Sequence, residues 1–191
     1  MPAPKTSVTQ AQEVYRPVLL RGLTALGYAA ISIFWFGADQ KVLSYSTAGL
    51  LVLTGVFMWQ YASVNSAPVK ARGLYAFGAG IMLMAGITML FASTPAMVAY
   101  LAAAGLIAAG IAEIAIFVKY RAVFPPYRNQ LISGAVAVLV GAALLFAGGM
   151  DIHGVLGLIG GSAIVFAVFE LIAAFGHRHD SRKKEVTAEN D

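Results

Sequence analysis

The stretch PAMVAYLAAAGLIAAGIAEIAIFV, at residues 95–118, contains a single charged residue, Glu113. An α-helix rises about 1.5 Å per residue, so a helix of this length crosses the roughly 30 Å hydrocarbon core of a bilayer. Other stretches of about 20–25 residues have the same apolar character. The six predicted transmembrane segments lie at residues 17–37, 43–63, 71–92, 95–118, 128–148 and 152–176.

The composition of the chain supports this interpretation. Hydrophobic residues make up 59% of the 191 residues and charged residues only 12%, whereas soluble domains carry about 25% charged residues. Such a surface has too few charges to face water, and lipid is the solvent that tolerates it. We therefore predict an all-α fold, a polytopic membrane bundle of six transmembrane helices. The bundle is expected between a polar N-terminal segment, 1–16, and a disordered tail, 177–191.

Prolines and capping residues explain where the predicted helices begin. Pro17, Pro68 and Pro95 stand at positions where a helix can start, because the first turn does not need the missing N–H of proline. Thr94 and Asp151 are expected to cap the helices that follow them, since their side-chain oxygens can accept from free backbone N–H groups.

Basic residues are distributed unequally between the two sides of this six-span arrangement. One side carries 12 of the 13 Lys and Arg residues, and the other side carries Lys41 alone. Because cytoplasmic loops are enriched in basic residues, this split predicts that both termini are cytoplasmic. The 12 residues are Lys5, Arg16, Arg21, Lys70, Arg72, Lys119, Arg121, Arg128, Arg178, Arg182, Lys183 and Lys184.

A short motif repeats along the chain. Residues 21–27 read RGLTALG and residues 72–78 read RGLYAFG, and Arg128 with Gly134 repeats the same spacing of six. Self-similarity at the distance of one hairpin indicates a repeated structural unit. We therefore predict three parallel helical hairpins, at residues 17–63, 71–118 and 128–176, related by a pseudo-threefold arrangement.

These repeated hairpins, each opening with arginine and glycine-spaced apolar residues, resemble the family of the bacterial acid-resistance membrane protein HdeD, which is built from a short repeat of unknown function. The resemblance covers residues 17–176. It implies a multi-pass protein of the bacterial inner membrane that acts in acid or general envelope stress. It supplies no catalytic residues for this chain.

Two carboxylates, Glu113 and Glu170, lie well inside predicted helices. Intramembrane carboxylates are costly, which makes a functional role such as proton relay the first suspicion. The alternative is a structural clamp. In an antiparallel hairpin, two residues at the same depth lie equally far from the turn, so their position numbers add up to the same total throughout the hairpin. Applied to each repeat, this rule places an arginine opposite a polar side chain. The expected pairs are Arg72 with Glu113, Arg128 with Glu170, and Arg21 with Gln60. Pairing would lower the cost of burying each charge.

Small residues in the predicted helices favour close helix packing. Helix five has Ser133, Ala137 and Gly141 at four-residue spacing, and helix six has Gly157 and Gly161. Such residues let backbones approach closely in lipid. We favour packing within one chain over a dimer face.

No nucleophile with a base, phosphate-binding loop or metal-ligand spacing is present in the sequence, so no enzymatic activity, cofactor or metal is expected. The chain has no cysteine, which excludes disulfides, iron–sulfur clusters and thiolate zinc sites. The expected partner is the lipid bilayer, together with a second copy or a larger membrane complex, and no nucleic acid. The leading hypothesis is a non-enzymatic stress protein of the HdeD-like type. The alternatives are a small transporter or proton-conducting protein that uses the two glutamates, and an accessory subunit.

Overall fold

The computed structural model describes the backbone of residues 5–65, 67–124 and 129–188, and side chains between residues 11 and 179 outside the same gaps. The described part is all-α, with six α-helices and a short 3₁₀ turn at Ala147–Gly149. The helices are α1 Lys5–Phe34, α2 Gln40–Ala62, α3 Val69–Met89, α4 Pro95–Tyr120, α5 Gln130–Leu145 and α6 Ile152–Ala188.

The starts of α4 and α6 follow the predicted capping chemistry. Thr94 is the N-cap of α4, and its hydroxyl accepts a hydrogen bond from the backbone N–H of Met97 at 3.2 Å. The carboxylate of Asp151 accepts from the backbone N–H of Gly154 at 2.8 Å. Each side chain thus satisfies a donor that the first helical turn leaves free.

The two terminal helices are longer than the sequence indicates. Pro17 lies inside α1 rather than at its start, and α6 continues to Ala188 where a disordered tail was expected. The two helices pack along each other, and α1 has its most extensive contacts with α6. The Arg178 guanidinium lies 5.9 Å from the ring centre of Tyr15, close to both chain ends. Helices gain most of their stability from such packing, which overrides the local signals of proline and polar residues.

The six helices form a closed ring in which each helix packs against its neighbours in sequence and α6 packs back on α1. The contacts of α1 with α6, α4 with α5, and α2 with α3 are the most extensive. Each of these pairs joins two different predicted hairpins. Within the predicted hairpins, α3 and α4 pack closely, whereas α1 with α2 and α5 with α6 touch less.

Glycines bring α4 and α5 into direct backbone contact. A Cβ on Gly134 would lie 2.7 Å from the carbonyl oxygen of Gly110, and a Cβ on Gly110 would lie 2.6 Å from that of Gly134. Gly141 of the predicted small-residue series also packs against α4, beside Ile107. By contrast, Gly157 on α6 has no neighbouring atom within 4 Å of an added Cβ.

Five of the described helices are long and apolar enough to cross a membrane: α1, α2, α3, α4 and α6. The helix α5 has 16 residues, about 24 Å of helix, and is shorter than the others. Large apolar side chains face outward around the bundle, including Phe77, Leu139 and Ile172, which are 64–70% exposed. Exposed apolar surface on this scale indicates a lipid environment.

Candidate functional site: a buried charge cluster

Four side chains from four helices meet inside the bundle. We call Arg21, Glu113, Ser133 and Glu170 the charge cluster. Nη2 of Arg21 donates to Oε1 of Glu113 at 2.6 Å and lies 3.5 Å from Oε1 of Glu170. The hydroxyl of Ser133 donates to Oε2 of Glu113 and lies 3.4 Å from Nη2 of Arg21.

The cluster is almost entirely removed from the outside of the protein. The exposed fractions of Arg21, Glu113 and Glu170 are 2%, 1% and 5%. The ring of Phe166 covers the guanidinium, with its centre 5.1 Å from Cζ. In such surroundings an ion pair is screened weakly, while each unpaired charge is costly.

Small residues next to the charged ones make this arrangement possible. An added Cβ on Gly22, which follows Arg21, would lie 3.2 Å from Cβ of Glu170, so α1 and α6 approach closely at the level of the cluster. An added Cβ on Gly134 would lie 3.1 Å from Cβ of Glu113. The same α4–α5 contact therefore brings the hydroxyl of Ser133 within reach of Glu113.

The predicted polar pairs form differently in the structure. Arg21 pairs with Glu113 and Glu170 instead of Gln60, which is exposed. Arg72 does not pair with Glu113. Its Nε donates to the carbonyl oxygen of Ala67 at 3.0 Å, and its Nη2 donates to that of Asn65. Arg128, the expected partner of Glu170, lies outside the described residues.

The physical reason for these differences is the direction in which each side chain points around the axis of its helix. The constant-sum rule predicts only which residues of one hairpin lie at the same depth, whereas the structure brings Glu113 and Glu170 from two predicted hairpins to Arg21 in the remaining one. Counting residue positions cannot tell which face of a helix points to the centre of the bundle, because that depends on how the six helices pack into a ring. Arg72 also lies in the first turn of α3, where carbonyls of the preceding loop are within reach.

The contribution of Ser133 was missed, because the sequence assigned it only to helix packing. Its position in the sequence could have indicated this role. Ser133 directly precedes Gly134, and the missing side chain of Gly134 lets α4 approach α5 closely at this level. Serine is also a side chain that can donate to a buried carboxylate while fitting a close helix crossing.

A cavity of about 50 Å³ adjoins the cluster. Residues from all six helices line it, and its polar lining includes Arg21, Glu113, Thr54 and Ser162. The remaining lining is largely apolar, with residues such as Met82, Ile159 and Phe166. A water molecule needs about 10–15 Å³ of this kind of volume, so the cavity has room for a few.

The chemistry of the cluster is electrostatic. One guanidinium bridges two carboxylates from helices that are far apart in sequence, so it holds α1 to α4 and α6. Among the described residues, no group of three or more His, Cys, Asp or Glu side chains is arranged to hold a metal ion.

An all-α bundle with five helices of membrane-spanning length and a buried ion-pair cluster belongs to the class of multi-pass membrane proteins. A family model described as a short repeat of unknown function (DUF308) matches this chain twice, at residues 92–146 and 132–188. The two matches together cover just over half of the chain, and the chain belongs to this family. It is thus a membrane protein of unknown function with an internal repeat. No curated protein and no solved structure matches the chain.

Proposed function

We propose that this chain is a non-enzymatic, multi-pass protein of the bacterial inner membrane that acts in acid or envelope stress, as its resemblance to the HdeD-like type implies. The observation that carries the non-enzymatic part is the charge cluster. Its charged groups are directed at one another and covered by apolar side chains, which suits a structural role better than contact with a reactant.

The proposed topology has six transmembrane spans and cytoplasmic termini. The short helix α5 completes its crossing through the following 3₁₀ turn, Ala147–Gly149. At about 1.5 Å per helical residue and about 2.0 Å per 3₁₀ residue, the two together reach about 30 Å. The even number of crossings agrees with the placement of 12 of the 13 basic residues on one side.

The stress role is tested by deleting the gene and challenging the strain with acid. We expect lower survival than in the parent strain, restored by the wild-type chain and not by an Arg21→Ala variant. Growth at neutral pH serves as the control. Equal survival of the deletion strain and its parent in acid would remove the stress role.

The cavity favours a second candidate, a small proton-conducting protein. Arg21 and Glu113 line a space to which every helix contributes, and ionisable groups beside such a space are typical of proton pathways. The candidate is tested with liposomes that contain the purified protein, by measuring proton flux under an applied potential.

The decisive variants are Glu113→Gln and Glu170→Gln together, with Asp151→Asn as the matched control. Asp151 is exposed at the start of α6, and Asn caps a helix about as well as Asp. Conduction by the wild type and the control, but not by the double variant, supports the candidate. Absence of flux in the wild type, or full flux in the double variant, overturns it.

A further inference from the structure

The charge cluster, as the described residues form it, has more groups that can be negative than groups that can be positive. It contains the single cation Arg21 on α1 against the carboxylates Glu113 on α4 and Glu170 on α6. Among the described residues, the groups that the other helices place near it are neutral: Ser133 on α5, Tyr75 on α3 and Thr54 on α2. With both carboxylates ionised, the cluster would bury a net charge of about −1, which is strongly unfavourable away from water.

The geometry distinguishes the two carboxylates. Both oxygens of Glu113 accept hydrogen bonds, one from Nη2 of Arg21 at 2.6 Å and one from the hydroxyl of Ser133. The nearest oxygen of Glu170 is 3.5 Å from the same nitrogen, which is longer than the roughly 2.7–2.9 Å of a charge-assisted hydrogen bond. Glu113 is therefore the better-stabilised anion, and the described residues offer Glu170 no equivalent set of donors.

We propose that the charge cluster is a proton-binding site in which Glu170 carries the proton and Glu113 is the ionised partner of Arg21. The bound proton converts the Glu170 carboxylate to a neutral carboxylic acid and reduces the net charge of the described cluster to zero.

The cavity adjoins the charge cluster at Arg21 and Glu113. Nε and Nη1 of Arg21 are buried and have no hydrogen-bond partner in the described part of the chain. Arg21 lines the cavity of about 50 Å³, which has room for water that accepts from both nitrogens. Proton binding in itself requires neither transport nor a stress role, so this inference stands apart from the proposed function.

Infrared spectroscopy of the purified protein tests the proposal, because a protonated carboxylic acid has a C=O stretching band that a carboxylate lacks. At neutral pH, where exposed carboxyl groups are ionised, we expect this band in the wild type. Labelling the glutamates with ¹³C should shift it. The band should disappear in Glu170→Gln and persist in the control Asp151→Asn.

Stability provides a second measurement that does not depend on spectral assignment. Glutamine has nearly the shape of a neutral glutamic acid, so Glu170→Gln should leave the melting temperature near that of the wild type. Glu113→Gln should lower it, because that change removes the ionised partner of Arg21.

Three results would overturn the proposal. The first is absence of the carboxylic acid band in the wild type, which would mean that both carboxylates are ionised. The second is a band that persists in Glu170→Gln. The third is an equal loss of melting temperature in Glu113→Gln and Glu170→Gln.

Discussion

At the scale of single residues, Arg21 connects the members of the charge cluster. One of its nitrogens contacts both buried carboxylates, and its guanidinium lies over the ring of Phe166. A buried ion pair adds little net stability compared with an apolar substitute, but loss of one partner leaves an uncompensated charge. The effect of a substitution therefore depends on what it leaves behind in the cluster.

Replacing Arg21 by alanine is expected to destabilise the bundle by about 3 kcal/mol or more, because the buried Glu113 carboxylate loses its cation. The matched control is Arg16→Ala, on the same helix but exposed, for which a change below about 1 kcal/mol is expected. The measurement is unfolding of the purified protein in detergent. Equal stability of the two variants would contradict the clamp.

Replacing Ser133 by alanine removes one of the two donors to Glu113 and should cost about 1–3 kcal/mol. Ser162→Ala is the control, because the Ser162 hydroxyl donates to the carbonyl oxygen of Ile159 within its own helix. The same unfolding measurement compares both variants. A Ser162 variant that loses as much stability as the Ser133 variant would argue against a special role for the cluster hydroxyl.

At the scale of helices, close packing depends on where glycines face a neighbour. The contact between α4 and α5 at Gly110 and Gly134 brings their backbones together and places Ser133 beside Glu113. Gly157 also lies in a small-residue pattern, yet its added Cβ would meet no atom within 4 Å. The same sequence pattern thus has different structural consequences in α5 and α6.

Gly134→Ala is expected to destabilise the bundle by about 1–3 kcal/mol, because the new methyl group would collide with the carbonyl oxygen of Gly110. Gly157→Ala should change stability by less than about 1 kcal/mol, since the added methyl group enters open space. Thermal unfolding of both variants checks this. If they melt at the same temperature, close α4–α5 packing does not limit stability.

At the scale of the whole molecule, ring closure decides which helices are neighbours. The most extensive contacts connect different predicted hairpins, and α6 returns to pack along α1. The charge cluster follows this arrangement, since Arg21 near one end of the chain reaches Glu170 near the other. The cluster consequently joins both ends of the chain to α4 in the middle.

The proposed topology can be tested on the whole molecule because the chain has no cysteine. Single variants Lys41→Cys and Lys119→Cys place one thiol at each end of the bundle, both at exposed positions. In intact cells, a membrane-impermeant thiol reagent should label the first and not the second. After the inner membrane is opened, both should react. Labelling of Lys119→Cys in intact cells would contradict the orientation, whereas the fold and the cluster would be unaffected.

The sequence alone was enough to predict the all-α class, the apolar helices, most of their boundaries and the capping roles of Thr94 and Asp151, because these follow from local composition and hydrogen bonding. It also identified Glu113 and Glu170 as carboxylates inside the helices, but it paired them with Arg72 and Arg128 and paired Arg21 with Gln60. Only the tertiary structure decided that one arginine serves both carboxylates, and that Arg72 instead binds carbonyls beside its own helix. Spacing along a helix gives depth, whereas neighbours around its axis depend on the packing of all six helices.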